Sequence, residues 1–232
     1  MSENNTNSSS SETARSDAPF HDAIIIGAGP AGLNAALILA RCRRRTLVLD
    51  SGKPRNAASQ GLHGFLSRDG THPMRLRETG REEIARYESV EFRDVAATGV
   101  EPREGGGFSV RLSDNSVEQT RVLLLATGRT DLMPEIEGFR EFYGKAIYRC
   151  PYCDAWEHRD RPIAIVGGDD SAASLALGLL TWSRELTLCS HGAPRWSDDF
   201  VEQLERAGIG VVRAKILRAE GRERFERLVL EE

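Results

Sequence analysis

Two cysteines three positions apart carry the clearest chemical signal in this 232-residue chain, in the stretch Cys150-Pro-Tyr-Cys153-Asp154. One thiol of such a pair can attack a disulfide in a partner, and the second can resolve the mixed disulfide that forms. The adjacent Asp154 can give a proton to a leaving thiolate or take one from an attacking thiol. The spacing therefore predicts thiol–disulfide exchange at Cys150 and Cys153, with Asp154 placed to carry the proton.

Half of a zinc site is the alternative interpretation of two closely spaced cysteines. The two other cysteines, Cys42 and Cys189, do not form a second close pair with a histidine, so we expect no metal. Cys42 falls on a predicted helix and Cys189 at the end of a predicted strand, where cysteines commonly pack as small apolar side chains. A helix that begins near Tyr152 would lower the pKa of a thiol through its N-terminal dipole.

A βαβ pattern precedes the cysteine pair. An apolar run over residues 23–26 is typical of a strand buried on both faces of a parallel sheet. A glycine-rich turn follows at residues 27–32, and a helical pattern extends from residue 30 to about residue 43. A second strand over residues 46–50 completes a unit of about thirty residues. The chain therefore begins as a dinucleotide-binding fold.

The glycines of this first turn have separate functions. Gly27 permits the tight turn, Gly29 lets backbone N–H groups approach a pyrophosphate, and Gly32 lets the helix and the strand pack closely. The acidic residue expected about twenty positions further on is Asp50, which ends the second strand and can accept hydrogen bonds from a ribose. The motif and its context predict a bound dinucleotide.

The same layout recurs after the cysteines. A strand over residues 162–166 leads into a second glycine turn, Gly167-Gly168-Asp169-Asp170-Ser171-Ala172, and then into a helix to about residue 182 and a strand over 186–189. Two βαβ units predict the α/β class with two doubly wound Rossmann-like modules. The other predicted elements are a functional loop over 51–73, a helix over 75–87, and strands over 108–112, 121–125 and 227–230.

Composition excludes several classes of protein. With 40% hydrophobic residues the chain can bury a sizeable core, and four cysteines are too few for a disulfide-rich secreted scaffold. The formal charge of -4 and the lack of a long basic run make nucleic acid an unexpected partner. No stretch approaches the roughly 20 apolar residues that a bilayer requires, and no signal-peptide pattern is present. We therefore expect a cytoplasmic protein without membrane contact, and a disordered tail over residues 1–19.

From about Asp22 onward the chain resembles the low-molecular-weight thioredoxin reductases. The resemblance rests on the order of the two glycine turns, Ala126-Thr127-Gly128, and Cys150-x-x-Cys153-Asp154. The form Cys-Pro-Tyr-Cys-Asp-x-x-Glu, which ends at Glu157, is similar to a branch that includes dithiol oxidases of disulfide-containing natural products. The resemblance implies an FAD-binding module over residues 20–130 and a partial NAD(P)H-type module over 131–232 that carries the cysteine pair.

Site roles follow from the same resemblance. It implies that Cys153 faces the flavin, that Cys150 exchanges with the substrate, and that Asp154 is the acid–base group. It also implies a homodimer and a rotation between the domains. The residues implied at the FAD site are Gly27, Gly29, Pro30, Ala31, Gly32, Asp50, Arg55, Asn56, Ala126, Thr127 and Gly128. The residues implied at the NADP(H) site are Gly167, Gly168, Ser171 and Ala172.

Two departures from the family pattern limit these implications. Asp169 stands where the second turn usually has a glycine, and a carboxylate there would repel a pyrophosphate. The basic cluster expected for a 2′-phosphate is replaced by Ser-His-Gly-Ala at residues 190–193, with only Arg195 nearby. NADP(H) binding therefore stays open. The chain also stops before the segment that covers the flavin in related enzymes, so we expect a shortened gene product or a fragment.

These patterns lead to one main expectation and two alternatives. The main expectation is an FAD-dependent, thioredoxin reductase-like oxidoreductase that passes electrons to a thioredoxin-like protein or a small disulfide, with NADPH as a possible donor. The first alternative is a dithiol oxidase that uses oxygen, and the second is an inactive flavin-binding remnant or interaction module. His63 is favoured as a structural histidine over a proton-exchanging group near the flavin.

Overall fold

A computed structural model of the chain describes residues 20–232, so the expected tail over 1–19 lies outside the described residues. The chain divides into two compact units. The first unit contains the described residues up to Gly52 together with Arg81–Thr127. The second unit contains Lys53–Gly80 and Gly128–Glu232. Residues 53–80 therefore belong to the same compact unit as the cysteines, whereas the family resemblance implied that they lie in a module over residues 20–130 and the cysteines in a module over 131–232. The assignment of an FAD module and an NAD(P)H module stays a prediction.

A six-stranded sheet with the order β3-β2-β1-β6-β5-β4 forms the centre of the first unit. Its parallel half comes from the opening βαβ unit, because β1 pairs in parallel with both β2 and β6, and β2 pairs in parallel with β3. Ile24 and Ile25 of β1 are fully buried, as expected for a strand covered on both faces. The elements are β1 (Phe20–Ile26), α1 (Pro30–Arg41), β2 (Thr46–Leu49), β3 (Val90–Arg93) and β6 (Val117–Leu125).

The other half of this sheet is an antiparallel meander. The strands β4 (Ala97–Pro102) and β5 (Phe108–Leu112) pair with each other, and β5 pairs with β6. The sequence predicted β5 and the second half of β6, but it predicted neither β3 nor β4. The chain also forms α2 (Pro73–Ile84), close to the predicted helix over 75–87.

The second unit contains a three-stranded parallel sheet with the order β7-β8-β9. Small residues on the helix Asp170–Leu179, Ala173 and Ala176, are fully buried and let this helix pack closely against Leu188 of the central strand. The parallel sheets of both units confirm the predicted α/β class. The elements are β7 (Ile163–Val166), α5 (Asp170–Leu179), β8 (Leu186–Cys189), α6 (Asp198–Arg206) and β9 (Gly210–Val212).

Two short helices and an antiparallel hairpin complete the second unit. The helices α3 (Phe139–Phe142) and α4 (Pro151–Asp154) have four residues each, and α4 carries the second cysteine of the pair. The strands β10 (Ile216–Glu220) and β11 (Arg227–Leu230) pair antiparallel. Phe139, Phe142 and Ile216 belong to one buried cluster, which anchors the segment before the cysteines.

Candidate redox site and two glycine turns

The first glycine turn (residues 27–32) forms an open cradle at the start of α1. A Cβ on Gly27, whose φ is +109°, would lie 2.2 Å from the carbonyl oxygen of Ala126, and a Cβ on Gly32 would lie 1.8 Å from the carbonyl oxygen of Gly27. A Cβ on Gly29 would meet nothing within 4 Å, and no side chain of residues 20–232 caps α1 at this position. Gly27 and Gly32 thus permit close packing, while Gly29 leaves the helix N-terminus open. This cradle fits the pyrophosphate of a dinucleotide.

Asp50, directly after β2, is held in place by hydrogen bonds. Its Oδ1 accepts from the backbone N–H of Gly52 at 3.0 Å, and its Oδ2 accepts from the Arg81 guanidinium at 2.8 Å. Arg81 also donates to Asp94 at 2.7 Å and lies over the ring of Phe92 at 4.9 Å. The carboxylate predicted to contact a ribose is therefore fixed at the carboxyl end of β2. Sequence reasoning missed Arg81 and Asp94, because no local pattern links them to Asp50.

The other implied FAD residues are distributed over both units. Ala126 donates its N–H to the carbonyl of Ile26 at 2.8 Å, which fixes it beside Gly27 in the first unit, and Thr127 follows it. Arg55 and Asn56 belong to the second unit, where they line the pocket that contains the cysteines. The roles of these residues toward FAD stay predictions.

The second glycine turn (residues 167–172) is closed by its own side chains. Asp169 is the N-cap residue of α5, and its carboxylate accepts from the backbone N–H of Ala172 at 3.0 Å. Asp170 accepts from the backbone N–H of Ser197 at 2.8 Å, and Arg195 donates its N–H to the carbonyl of Gly168 at 2.7 Å. A pyrophosphate at this helix N-terminus would have to replace the Asp169 carboxylate and overcome its charge.

The segment expected to hold a 2′-phosphate is occupied by contacts within the chain. His191 accepts from the backbone N–H of Ile216 at 3.0 Å through Nδ1, and the Ser190 hydroxyl donates to the carbonyl of Gly192 at 2.5 Å. Neither side chain is a cationic partner of the kind that Arg or Lys provides for a phosphate. The second glycine turn and this segment therefore do not fit NADP(H).

The cysteine pair lies at the start of α4. Cys150 is the N-cap residue, Pro151 opens the helix, and Cys150 and Cys153 form a disulfide with their Cα atoms 5.3 Å apart. The helix begins one residue before Tyr152, close to the predicted start. Cys150 is half-buried, whereas Cys153 and Tyr152 are exposed, the latter by 82%. The disulfide is thus reachable from solvent on the Cys153 side.

A cavity of about 160 Å³, called the cysteine pocket here, adjoins the disulfide. Its lining residues come from two stretches of the second unit, 55–63 and 143–154, and include Cys150, Cys153 and Asp154. The pocket therefore contains all three predicted catalytic residues. Sequence reasoning missed four further polar side chains of the lining, Ser59, Tyr143, Tyr148 and Arg149, because they belong to no recognisable motif.

Asp154 lies in a cluster of titratable groups. Burial raises the pKa of Asp154; the positive charge of His63 opposes this rise, the negative charge of Glu157 adds to it, and His158 opposes it. The Nδ1 atom of His63 lies 3.5 Å from Glu157 and 3.7 Å from Asp69. A raised pKa keeps the Asp154 carboxyl protonated to higher pH, which suits a group that gives protons to thiolates. His63, favoured above as structural, lines the same pocket.

The remaining cysteines are not among the residues that line the cysteine pocket. Cys42 is exposed at the end of α1, and Cys189 is buried in β8, where burial raises the pKa of its thiol. Within residues 20–232, no group of three or more potential ligands is arranged to hold a metal ion. The helices in this range are also too short or too polar to span a bilayer.

Comparison with known proteins defines the family. Residues 21–231 match the family described as pyridine nucleotide-disulphide oxidoreductase. The chain therefore belongs to the pyridine nucleotide-disulphide oxidoreductases, as its glycine turns and cysteine pair indicate.

Three individual proteins illustrate the similarity. A protein named "Probable thioredoxin reductase" from Arthroderma benhamiae is 41% identical over 152 residues, which are 63% of this chain and 38% of that protein. Thioredoxin reductase tcpT from Claviceps purpurea is 36% identical over 178 residues, 74% of this chain and 56% of the relative. The crystal structure of HlmI matches with a TM-score of 0.84 and 40% identity, over 91% of this chain and 67% of HlmI. The chain thus spans little more than half, or less, of the two thioredoxin reductase relatives.

Proposed function

We propose that this protein is an FAD-dependent, thioredoxin reductase-like thiol–disulfide oxidoreductase. The observation that carries the proposal is the Cys150–Cys153 disulfide in one pocket with Asp154, whose pKa is raised by burial. The open first glycine turn supports FAD as the cofactor, with Gly27, Gly29, Gly32 and Asp50 at its ADP half. When bound, FAD supplies a two-electron redox centre that exchanges electrons with the cysteine pair. The other proposed FAD contacts are Pro30, Ala31, Arg55, Asn56, Ala126, Thr127 and Gly128.

The thiol chemistry is assigned to three side chains. In the reduced pair, the Cys150 thiolate attacks one sulfur of a substrate disulfide, and the second substrate sulfur leaves as a thiolate that takes a proton from Asp154. Asp154 then takes the proton of the Cys153 thiol, and the Cys153 thiolate attacks the Cys150 sulfur, which forms the Cys150–Cys153 disulfide and releases the first substrate sulfur as a thiolate that Asp154 protonates. The substrate gains two electrons and two protons, and the protein loses them, so a two-electron donor such as a second dithiol must reduce the pair before the next turnover. The same steps in reverse oxidise a dithiol.

A dithiol oxidase is the second candidate function, and the closed second glycine turn favours it. Asp169 caps α5 where a pyrophosphate of NADP(H) would bind, and His191 is engaged with the backbone of Ile216. In this direction a substrate dithiol gives up two electrons and two protons, and molecular oxygen takes up both and becomes hydrogen peroxide. The residues Gly167, Gly168, Ser171 and Ala172 then serve packing and helix formation.

The partner is proposed from the exposure of the disulfide. Cys150, the proposed exchange thiol, is only half-buried and lines the cysteine pocket, so a thioredoxin-like protein can reach it from solvent and a small dithiol or disulfide can enter the pocket. A homodimer in the cytoplasm is part of the same proposal. Sedimentation of the purified chain tests the dimer, which a monomeric mass at all concentrations would contradict.

Anaerobic mixing with a dithiol tests the proposed function. We expect the purified chain to take up FAD and its flavin absorbance to bleach when dithiothreitol is added. Cys153→Ser should retain FAD and lose the bleaching, because the flavin-side thiol is gone. Cys42→Ser is the matched control, since Cys42 is an exposed thiol outside the cysteine pocket, and it should behave as the wild type. A colourless protein that takes up no FAD, or full bleaching of Cys153→Ser, would overturn the proposal.

A further inference from the structure

Asp131 is a nearly buried carboxylate surrounded by three donors of the second unit. Its side chain is only 8% exposed. Arg55 donates to it through Nε at 2.8 Å, the Tyr143 hydroxyl donates to the same oxygen, and Arg149 pairs with the other oxygen. A carboxylate removed from water requires such partners. The contacts act in both directions, so Asp131 also fixes the positions of its three donors.

The three donors come from separate stretches of the chain and meet at the cysteine pocket. Arg55 lies on the loop after β2, Tyr143 directly follows α3, and Arg149 directly precedes Cys150. All three line the pocket that contains Cys150. Asp131 therefore holds together a wall of the pocket at which the exchange thiol lies.

Charge gives this arrangement a chemical consequence. Two guanidinium groups face one carboxylate, so one positive charge remains in excess at the pocket wall. A positive charge near a cysteine favours its thiolate, the form that attacks disulfides. The other titratable side chains that line the pocket are His63, Tyr148 and Asp154.

We propose that Asp131 is a positioning residue for Cys150, which holds the guanidinium groups of Arg55 and Arg149 where their excess charge stabilises the Cys150 thiolate. The Arg149 side chain is 54% exposed, so without Asp131 it turns toward water and its charge is screened. The inference deepens the proposed function and rests on it, because it names what sets the reactivity of the exchange thiol.

The pH dependence of alkylation tests this proposal. The full chain carrying Cys42→Ser and Cys153→Ser leaves Cys150 and the buried Cys189, and mass spectrometry distinguishes the two thiols after treatment with iodoacetamide. In this background we expect Asp131→Asn to lower the alkylation rate of Cys150 below neutral pH by about threefold to tenfold, which corresponds to a pKa rise of about 0.5 to 1. Loss of a negative charge alone would have the opposite effect, so the direction separates positioning from simple neutralisation.

Arg149→Gln should lower the rate in the same direction. The double variant Asp131→Asn/Arg149→Gln should fall no further than the larger single effect, because both changes remove the same charge from the pocket. Glu220→Gln is the matched control: Glu220 also accepts hydrogen bonds from two arginines, Arg218 and Arg227, in the same unit, but it does not line the pocket. It should leave the rate unchanged.

An unchanged or faster alkylation rate in Asp131→Asn would overturn the proposal, as would an equal slowing in Glu220→Gln. If Asp131→Asn fails to fold, Arg149→Gln tests the proposal in its place. An unchanged alkylation rate of Cys150 in Arg149→Gln would also overturn the proposal. Alkylation requires neither FAD nor a substrate. A chain without oxidoreductase activity would therefore contradict the proposed function without changing this readout.

Discussion

The two glycine turns share the order of strand, turn and helix, but they differ in sequence, and the differences at their third and sixth positions matter most for what the turns can bind. At the third position Gly29 leaves the N-terminus of α1 open, whereas Asp169 closes that of α5 with a hydrogen bond of 3.0 Å to Ala172. At the sixth position Gly32 permits an approach that a Cβ would block, whereas the second turn accommodates Ala172. A similar backbone pattern thus yields an anion cradle in one unit and a self-capped helix in the other.

Substitution at the sixth position of the first turn should have the largest effect on stability and FAD uptake. Gly32→Ala places a Cβ 1.8 Å from the carbonyl oxygen of Gly27, so α1 must move away from β1. We expect a loss of about 3 kcal/mol or more in the free energy of unfolding, together with loss of FAD uptake. The measurements are urea unfolding and FAD titration. Gly178→Ala on α5, where a Cβ meets nothing within 4 Å, is the control and should be neutral or stabilising. Equal stability of Gly32→Ala and wild type would show that the close approach is not needed.

Asp154 should have the next largest effect, on exchange and not on cofactor binding. Asp154→Asn removes the proton donor, and we expect the rate of thiol–disulfide exchange near neutral pH to fall about 100-fold or more. FAD affinity should stay unchanged because Asp154 is not one of the proposed FAD contacts. Stopped-flow exchange with a chromogenic disulfide measures the rate. A variant with the full rate would remove Asp154 from the proposed chemistry.

Exchanging the third-position residues tests the comparison in both directions. Gly29→Asp should let a carboxylate cap α1, so the chain stays folded while FAD affinity falls about tenfold or more through charge repulsion. Asp169→Gly should raise the affinity of the chain for NADPH by about tenfold, because the repelling charge and the competing cap are gone. Fluorescence titration with each nucleotide measures both effects. If Gly29→Asp binds FAD with the affinity of the wild type, the open N-terminus of α1 is not the binding site of the FAD pyrophosphate.

A pH series of unfolding measurements should show the smallest effect. Because the folded-state pKa of Asp154 is raised, the folded chain binds its proton more tightly than the unfolded chain does. The wild type should therefore lose stability relative to Asp154→Asn as pH rises from about 3.9, the ordinary pKa, through the raised value. Asp114, whose pKa is lowered by hydrogen bonds from Ser116, should show the opposite sign in Asp114→Asn. A pH-independent difference for Asp154→Asn would contradict the raised pKa.

The sequence predicted the elements that carry strong local signals. The units β1-α1-β2 and β7-α5-β8 follow from apolar runs joined by glycine turns, and the cysteine pair follows from its spacing. The strand β4 escaped prediction because it contains Gly99 and ends at Pro102, although its partner β5 is the next strand along the chain. The strands β3 and β9 have only four and three residues, and they pair with strands from distant parts of the sequence. Such strands form through tertiary pairing, which a local pattern does not contain.

The polar wall of the cysteine pocket escaped prediction for a related reason. Asp131 meets Arg55, Tyr143 and Arg149 across 76, 12 and 18 positions of sequence. None of these residues stands in a motif, and only the folded second unit brings them to Cys150. The sequence therefore predicted the reacting groups, whereas the structure was needed to identify the groups that surround them.

The reduction of the FAD-loaded chain under anaerobic conditions tests the central claim most directly. One sample receives dithiothreitol and the other receives NADPH, and flavin absorbance is followed in both. Because the first glycine turn is open and the second is closed by Asp169, we expect the dithiol to bleach the flavin and NADPH to leave it oxidised. If NADPH bleached the flavin as fast as the dithiol does, the claim that only the first turn can bind a dinucleotide would be wrong.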